Sequence, residues 1–215
     1  MQNIKVLEML NENRIDELKQ ILRDEIYADL LKKRPGASKR YSAMKRYFTL
    51  VDTEREILQK PCLIEYEGLG YMSFCNSYSV ALTKEPCGAI EMFTDVERYP
   101  DVTKLIRKEG DETFIDFTDI LAKAKLDGYR LIKNELNTNK FKYMLKIRDT
   151  YFKLGLVDAT FSIINDGELA KVYISNESTR PMTIETTVGI CTIMPMRVDE
   201  VSDKYMVIEA EEVSA

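Results

Sequence analysis

Gly189-Ile190-Cys191-Thr192-Ile193-Met194-Pro195-Met196-Arg197-Val198 decides how the rest of the chain is read. Its first half is a mostly apolar run, the pattern of a buried strand. Pro195 then withdraws a backbone donor and leaves two flexible thioethers and a cation at the strand's end. Taken alone, the stretch fits a last core strand and a surface binding element equally well.

Working backwards from it, residues 182–194 read as one long strand that bends or breaks near Val188-Gly189, preceded by strands at Lys171–Ser175 and Phe161–Ile164. Before these come a helix ending at Gly155, a strand at Phe141–Leu145, a loop at Asn137-Thr138-Asn139 and a strand at Tyr129–Leu136. A helix opened by Thr118 or Asp119 and stopped at Gly128 follows a strand at Thr113–Phe117. The spacing therefore predicts a β-α-β-β-β unit from Lys140 to Met196 and an abbreviated β-α-β unit before it, an α+β layer architecture with each helix on one face of its sheet.

Further upstream, Pro61 stops a helix, and Cys62–Tyr66, Tyr71–Cys75 and Tyr78–Leu82 read as an antiparallel meander with turns at Gly68 to Gly70 and at Asn76-Ser77. Pro86-Cys87-Gly88 leads into a short apolar segment, Ala89–Phe93, and Tyr99-Pro100-Asp101 marks its exit. From Ile4 to Lys33, apolar residues recur at helical spacing and predict two helices divided near Asn11 to Asn13. The organisation expected is a helical segment over 1–60, an α+β region over 61–198 and an acidic tail over 199–215. Tyr205 to Ile208 give that tail an apolar centre, able either to add a strand or to fold back over the Met-Pro-Met end.

Between helices and meander, residues 32–48 hold Lys32, Lys33, Arg34, Lys39, Arg40, Lys45 and Arg46 without a single acid, interleaved with Tyr41, Tyr47 and Phe48. That mixture suits phosphate contact with base stacking, and it equally suits a solvated helix face with its aromatics turned inward. Both readings stand.

Composition narrows the rest. The chain of 215 residues is 45% hydrophobic and 31% charged, enough for a real core in one large or two small domains. A net charge of -5 argues against a wholesale nucleic-acid coat. Histidine is absent, which removes imidazole acid-base catalysis, His-containing triads and imidazole metal ligands together. Cys62, Cys75, Cys87 and Cys191 form no C-x-x-C pair and read as buried, reduced thiols. The N-terminus carries no apolar signal segment and no stretch approaches about 20 apolar residues, so a cytoplasmic protein is expected. Asp95, Asp101 and Asp116 show no convergent spacing, and neither a phosphate-cradling glycine loop nor an activated nucleophile is visible; no enzyme and no cofactor are expected.

Three segments in order resemble the bacterial sliding clamp family, the beta subunit of DNA polymerase III: Phe74-Cys75-Asn76-Ser77-Tyr78-Ser79-Val80-Ala81, Tyr99-Pro100-Asp101-Val102-Thr103-Lys104-Leu105-Ile106 and Ile193-Met194-Pro195-Met196-Arg197-Val198. They are similar to that family's Thr-Asp-Gly-x-Arg-Leu-Ala strand, Phe-Pro-Asp-Tyr linker and Met-Pro-Met-Arg-Leu terminus. The likeness covers roughly 61–198. Cys75-Asn76-Ser77 stands where the family has Thr-Asp-Gly, a family chain carries three domains, and this chain runs on past the signature. The resemblance implies a sliding-clamp-like fold and a non-catalytic accessory of DNA replication or repair. It further implies a hydrophobic pocket for linear peptides of the Gln-Leu-x-Leu-Phe type, formed by Cys75, Tyr78, Val80, Pro100, Lys104, Leu105, Thr192, Met194, Met196 and Arg197. The same residues would equally fill a core at a domain junction. Basic helices that ride on duplex DNA in such clamps would correspond to Lys123, Lys125 and Lys133 with Lys142, Lys146, Arg148 and Lys153, which an ordinary solvated face explains as well. Ring closure would require a homo-oligomer of more than two copies, and the short chain suits a phage or other mobile element.

Overall fold

The computed structural model describes residues 14, 36–50, 58, 60–84, 99–131, 143–196 and 205–213. Apart from Arg14, the expected helices of 4–33 lie outside them, as do the segment Ala89–Phe93, most of the strand Tyr129–Leu136, and Lys32, Lys33, Arg34, Lys133, Lys142, Arg197 and Cys87.

In chain order the elements are α1 (Ala37–Leu50), β1 (Cys62–Tyr66), β2 (Leu69–Cys75), β3 (Ser79–Thr83), a 3-10 turn (Val102–Leu105), β4 (Asp111–Ile115), α2 (Phe117–Leu126), β5 (Tyr143–Ile147), β6 (Thr150–Lys153), α3 (Leu154–Phe161), β7 (Ala170–Ile174), β8 (Met182–Glu185), β9 (Gly189–Ile193) and β10 (Met206–Glu209). The fold is α+β, as the sequence pattern predicts. One sheet is fully antiparallel and runs β1-β2-β3-β9-β8-β7-β4; the other runs β10-β5-β6, with β10 parallel to β5.

Side-chain alternation divides the large sheet into two faces. Met72, Phe74, Ala81, Cys191, Ile193, Met182, Ile184 and Val172 point to the inner face, where they meet Met44 and Tyr47 of α1, Phe117 and Leu121 of α2, Phe161 of α3, and Leu145 and Phe152 of the small sheet in one continuous core. Burying each large side chain there contributes about 1.5–3 kcal/mol before conformational entropy is subtracted. On the outer face, Cys62, Tyr71, Cys75, Val80, Leu82 and Ile190 form a second cluster covered by Tyr99, Val102 and Ile106. Strands β3 and β9 are therefore buried on both faces, which is why the run from Gly189 to Ile193 carries no polar alternation.

The sequence places β1, β2, β3, β4, α2 and β7 within two or three residues of their observed ends. The long strand over 182–194 does break where expected: Thr186 to Val188 turn the chain, with the Thr186 amide donating to Gly189 O at 2.9 Å. Two expectations are corrected. Phe161–Ile164 is not a strand but the end of α3 and the turn after it, and the helix expected to stop at Gly155 instead begins at Leu154, after an unforeseen strand β6. The cause is burial. Every residue of α3 except Gly155 is buried between sheet and small sheet, so Leu154-Gly155-Leu156-Val157-Asp158-Ala159-Thr160-Phe161 lacks the polar stripe that reveals a surface helix. The β-α-β-β-β unit is present as β6-α3-β7-β8-β9, one strand later than its predicted start.

Candidate functional site

The Met-Pro-Met segment joins the two sheets. Met194 donates its amide to Tyr78 O at 2.8 Å, continuing the β3–β9 ladder, and Met196 donates to Tyr151 O at 2.8 Å at the edge of β6. Pro195, which has no donor, sits between the two bonds, where none is needed. Met194 is 42% exposed, Tyr78 is 55% exposed, and Pro195 and Met196 are half-buried. Lys153 brings its Nζ to 5.9 Å from the centre of the Tyr78 ring, and desolvation holds its pKa below the ordinary lysine value.

Tyr78 owes its outward position to Asn76. The Asn76 Oδ1 accepts from the Tyr78 and Ser79 amides at 2.6 and 2.7 Å, a side-chain turn that replaces a backbone one. Beneath it, Ser79 Oγ lies 2.9 Å from Thr160 Oγ1 of α3 and 3.2 Å from Tyr47 Oη of α1, all buried. Burial raises the Tyr47 phenol well above its usual pKa, so it remains a neutral hydroxyl in that network. One turn is thus tied to two helices.

The linker lies across the outer face of the sheet. Tyr99 Oη is 3.2 Å from Ser73 Oγ, and at the other end Thr183 Oγ1, itself 2.9 Å from Thr192 Oγ1, donates to Arg107 O at 2.8 Å. Lys104 pairs with Asp101 at 3.1 Å in the open, Pro100 is exposed, and Leu105 is 46% exposed. Cys75, Val80 and Thr192 lie under this cover at 3% exposure or less. This corrects the expectation that they line an open pocket: of the segments compared, the structure brings Tyr78, Met194 and Met196 together at the surface and uses Cys75, Val80 and Thr192 as core. Tyr151 and Lys153 complete the patch. Sequence reasoning passed over Tyr151 because the strand that carries it was not recognised.

The basic candidates divide in the same way. Lys39, Lys45 and Arg46 are exposed on α1, and Lys45 Nζ sits 4.5 Å above the Tyr41 ring. Arg40 is corrected: it is 2% exposed and donates from Nη1 to Asn165 O at 2.9 Å, so it holds α1 onto the turn after α3 instead of facing phosphate. Replacing Arg40 by alanine should lower unfolding free energy by about 2 kcal/mol, read from a denaturant midpoint, because a buried side chain is lost together with its bond to the half-buried Asn165 carbonyl. Lys123 pairs with Asp119 at 2.7 Å and Lys146 with Glu209 at 2.9 Å, while Lys125 is exposed on α2. Arg148 meets Glu212 through both Nε and Nη2 at 2.9 Å and Asp111 through Nη1 at 2.8 Å. Asp116 accepts from the Asp119 amide at 2.8 Å as the cap of α2, and Asp101 pairs with Lys104, so both carboxylates have structural partners. Among the described residues no group of three or more Cys, Asp or Glu side chains is placed to hold a metal, and no helix is long and apolar enough to cross a membrane.

The solved structures similar to the chain include the following two. One is a DNA polymerase sliding clamp from Bacillus subtilis, 12% identical, with 77% of this chain and 63% of that one covered and a TM-score of 0.48. The other is a putative DNA polymerase III beta subunit from Eubacterium rectale, 12% identical, with 75% of this chain and 64% of that one covered and a TM-score of 0.49. The chain thus spans just under two thirds of the length of each. No protein-family model and no curated protein matches the sequence.

Proposed function

We propose that this chain is a non-catalytic, cytoplasmic, sliding-clamp-like accessory of DNA replication or repair that binds linear peptides of partner proteins at the Tyr78–Met194–Met196 surface. The observation that carries the reading is the pair of backbone bonds from Met194 to Tyr78 and from Met196 to Tyr151, which pin an apolar, outward-facing Met-Pro-Met segment where the two sheets meet. Methionine adapts to varied apolar partners, a tyrosine at the rim supplies a flat wall with a hydroxyl, and Lys153 supplies a cation beside it. Pro100, Lys104 and Leu105 of the linker belong to this proposal as further peptide contacts; Arg197, expected with them, lies outside the described residues. Titrating the protein with a labelled peptide of the Gln-Leu-x-Leu-Phe type tests it: saturable binding is expected, and its absence rejects the reading. Encircling duplex DNA would need a homo-oligomer, measurable as solution mass.

A second reading is a nucleic-acid-binding adaptor, favoured by the exposed row of Lys39, Lys45 and Arg46 beside Tyr41, with Lys125 as a further contact. Reversing the charge of Lys39, Lys45 and Arg46 together should then abolish retention on DNA and flatten its salt dependence, whereas Arg40→Ala should leave retention unchanged. Unaltered retention after the triple reversal would remove this reading.

A further inference from the structure

The tail at 205–213 has a place in the fold that the peptide surface does not use. Strand β10 pairs in parallel with β5, Met206 opposite Tyr143 through Glu209 opposite Lys146, so the segment adds a strand instead of covering the Met-Pro-Met end. Ala210 then donates to Lys146 O at 2.9 Å. Beyond it the tail crosses to the large sheet, where Val213 donates to Phe114 O at 2.9 Å and accepts from the Phe114 amide at 3.3 Å. One short segment therefore occupies in turn the edges of β5 and of β4 that no other strand among the described residues pairs with.

What holds it there is mostly exchangeable. Met206 and Val213 are 49% and 43% exposed, and only Ile208 and Ala210 pack on the main core, both half-buried. The polar attachments include backbone pairing, Glu209 with Lys146, and Glu212 with the fork of Arg148 and with the Thr113 side chain. Water and salt compete for such bonds far better than for buried apolar area. Arg148 also keeps Asp111 at 2.8 Å and Asn176 at 3.1 Å, so it would retain partners if Glu212 left, and the groove would keep its shape. Emptied, the groove offers two strand edges that nothing else among the described residues pairs with, and two cations in fixed register. That is the surface by which a sheet recruits an extended segment, with backbone bonds for affinity and charge for selection.

We propose that the groove along β5 and β4 is a strand-addition site for an acidic, extended segment of a partner polypeptide, which the chain's own residues 205–213 fill when that partner is absent. The segment chosen would place apolar residues at the positions of Val207 and Ile208 and carboxylates at those of Glu209 and Glu212. Because the chain's own tail is tethered beside the groove, it competes at high effective concentration, and a partner gains access only by displacing it.

A labelled peptide with the sequence of residues 205–213 serves as the probe. It is titrated at low salt against the full wild-type chain and against the full chain carrying Glu209→Lys and Glu212→Lys, whose reversed tail no longer suits Lys146 and Arg148. The double variant should bind the peptide at least about tenfold more tightly than wild type, and rising salt should weaken that binding. A peptide bearing the same two reversals should not bind. Equal binding by both proteins, or none by a variant with wild-type near-ultraviolet dichroism, overturns the proposal. If the variant does not fold, amide exchange on the wild-type chain decides: Ala210 and Val213 should exchange at least about tenfold faster than the β9 amides, and equal protection would make the tail a permanent strand.

Discussion

Gly189→Ala lowers the unfolding free energy by about 3 kcal/mol, the expected result of adding a single methyl group at the centre of the large sheet. A Cβ built at Gly189 lies 2.2 Å from Leu82 O, 3.2 Å from the Leu82 carbonyl carbon and 2.6 Å from Ile164 Cγ2. Leu82 is a ladder residue of β3 facing Ile190 of β9, so its carbonyl cannot retreat without opening the pairing that joins the meander to the rest of the sheet. Ile164 is fully buried in the main core and has no free volume to rotate into. The measurement is a urea titration with the slope compared as well as the midpoint. Gly70→Ala is the control, because no atom lies within 4 Å of its added Cβ; it should change stability by well under about 1 kcal/mol. A Gly189→Ala protein that unfolds at the wild-type midpoint would contradict the packing described.

Met194→Asp should reduce binding of a Gln-Leu-x-Leu-Phe peptide at least tenfold, on the order of 1.4 kcal/mol or more, while altering stability by no more than about 0.5 kcal/mol. The separation of the two effects follows from geometry. The bond that fixes Met194 to Tyr78 comes from its backbone amide, which aspartate retains, and the side chain is already 42% exposed. What changes is the chemistry of the surface: an adaptable apolar thioether gives way to a hydrated carboxylate that a peptide's leucine or phenylalanine would have to desolvate. Leu126→Asp, on α2 at 87% exposure, is the matched control and should leave peptide binding untouched. Wild-type affinity in Met194→Asp, measured by fluorescence anisotropy, would remove the Met-Pro-Met surface from the proposal.

Much of the architecture was legible where local chemistry and tertiary context agree. Glu67-Gly68 needs a left-handed turn and has positive φ at both residues, so the β1–β2 hairpin announces itself. Asn76 supplies a turn acceptor from its own side chain, and Val188-Gly189 marks the break between β8 and β9. Helix α3 was hidden because its neighbours bury every side, and β6 because the two-residue turn before it is made by Arg148 and Asp149, with Arg148 at φ 53 in place of the usual glycine or asparagine. The candidate site was legible only in its ends. Nothing in a sequence distinguishes Arg40 from Lys39, yet one is inside and the other outside, a difference set by the helical turn and by Asn165, a residue 125 positions away. Likewise Cys75, Val80 and Thr192 become core only because residues 99–106 cross over them.

The pairing of β3 with β9 also governs the order in which the molecule assembles. Residues 62–83 can close as a local hairpin and meander in roughly microseconds, but Ser79 finds Ile193 only across more than a hundred intervening positions. The chain therefore belongs with slow, non-local antiparallel topologies, and the inner edge of β3 stays unsatisfied until β9 arrives. During that interval an apolar ladder with open amides and carbonyls is available to any neighbouring chain, so refolding yield should rise on dilution.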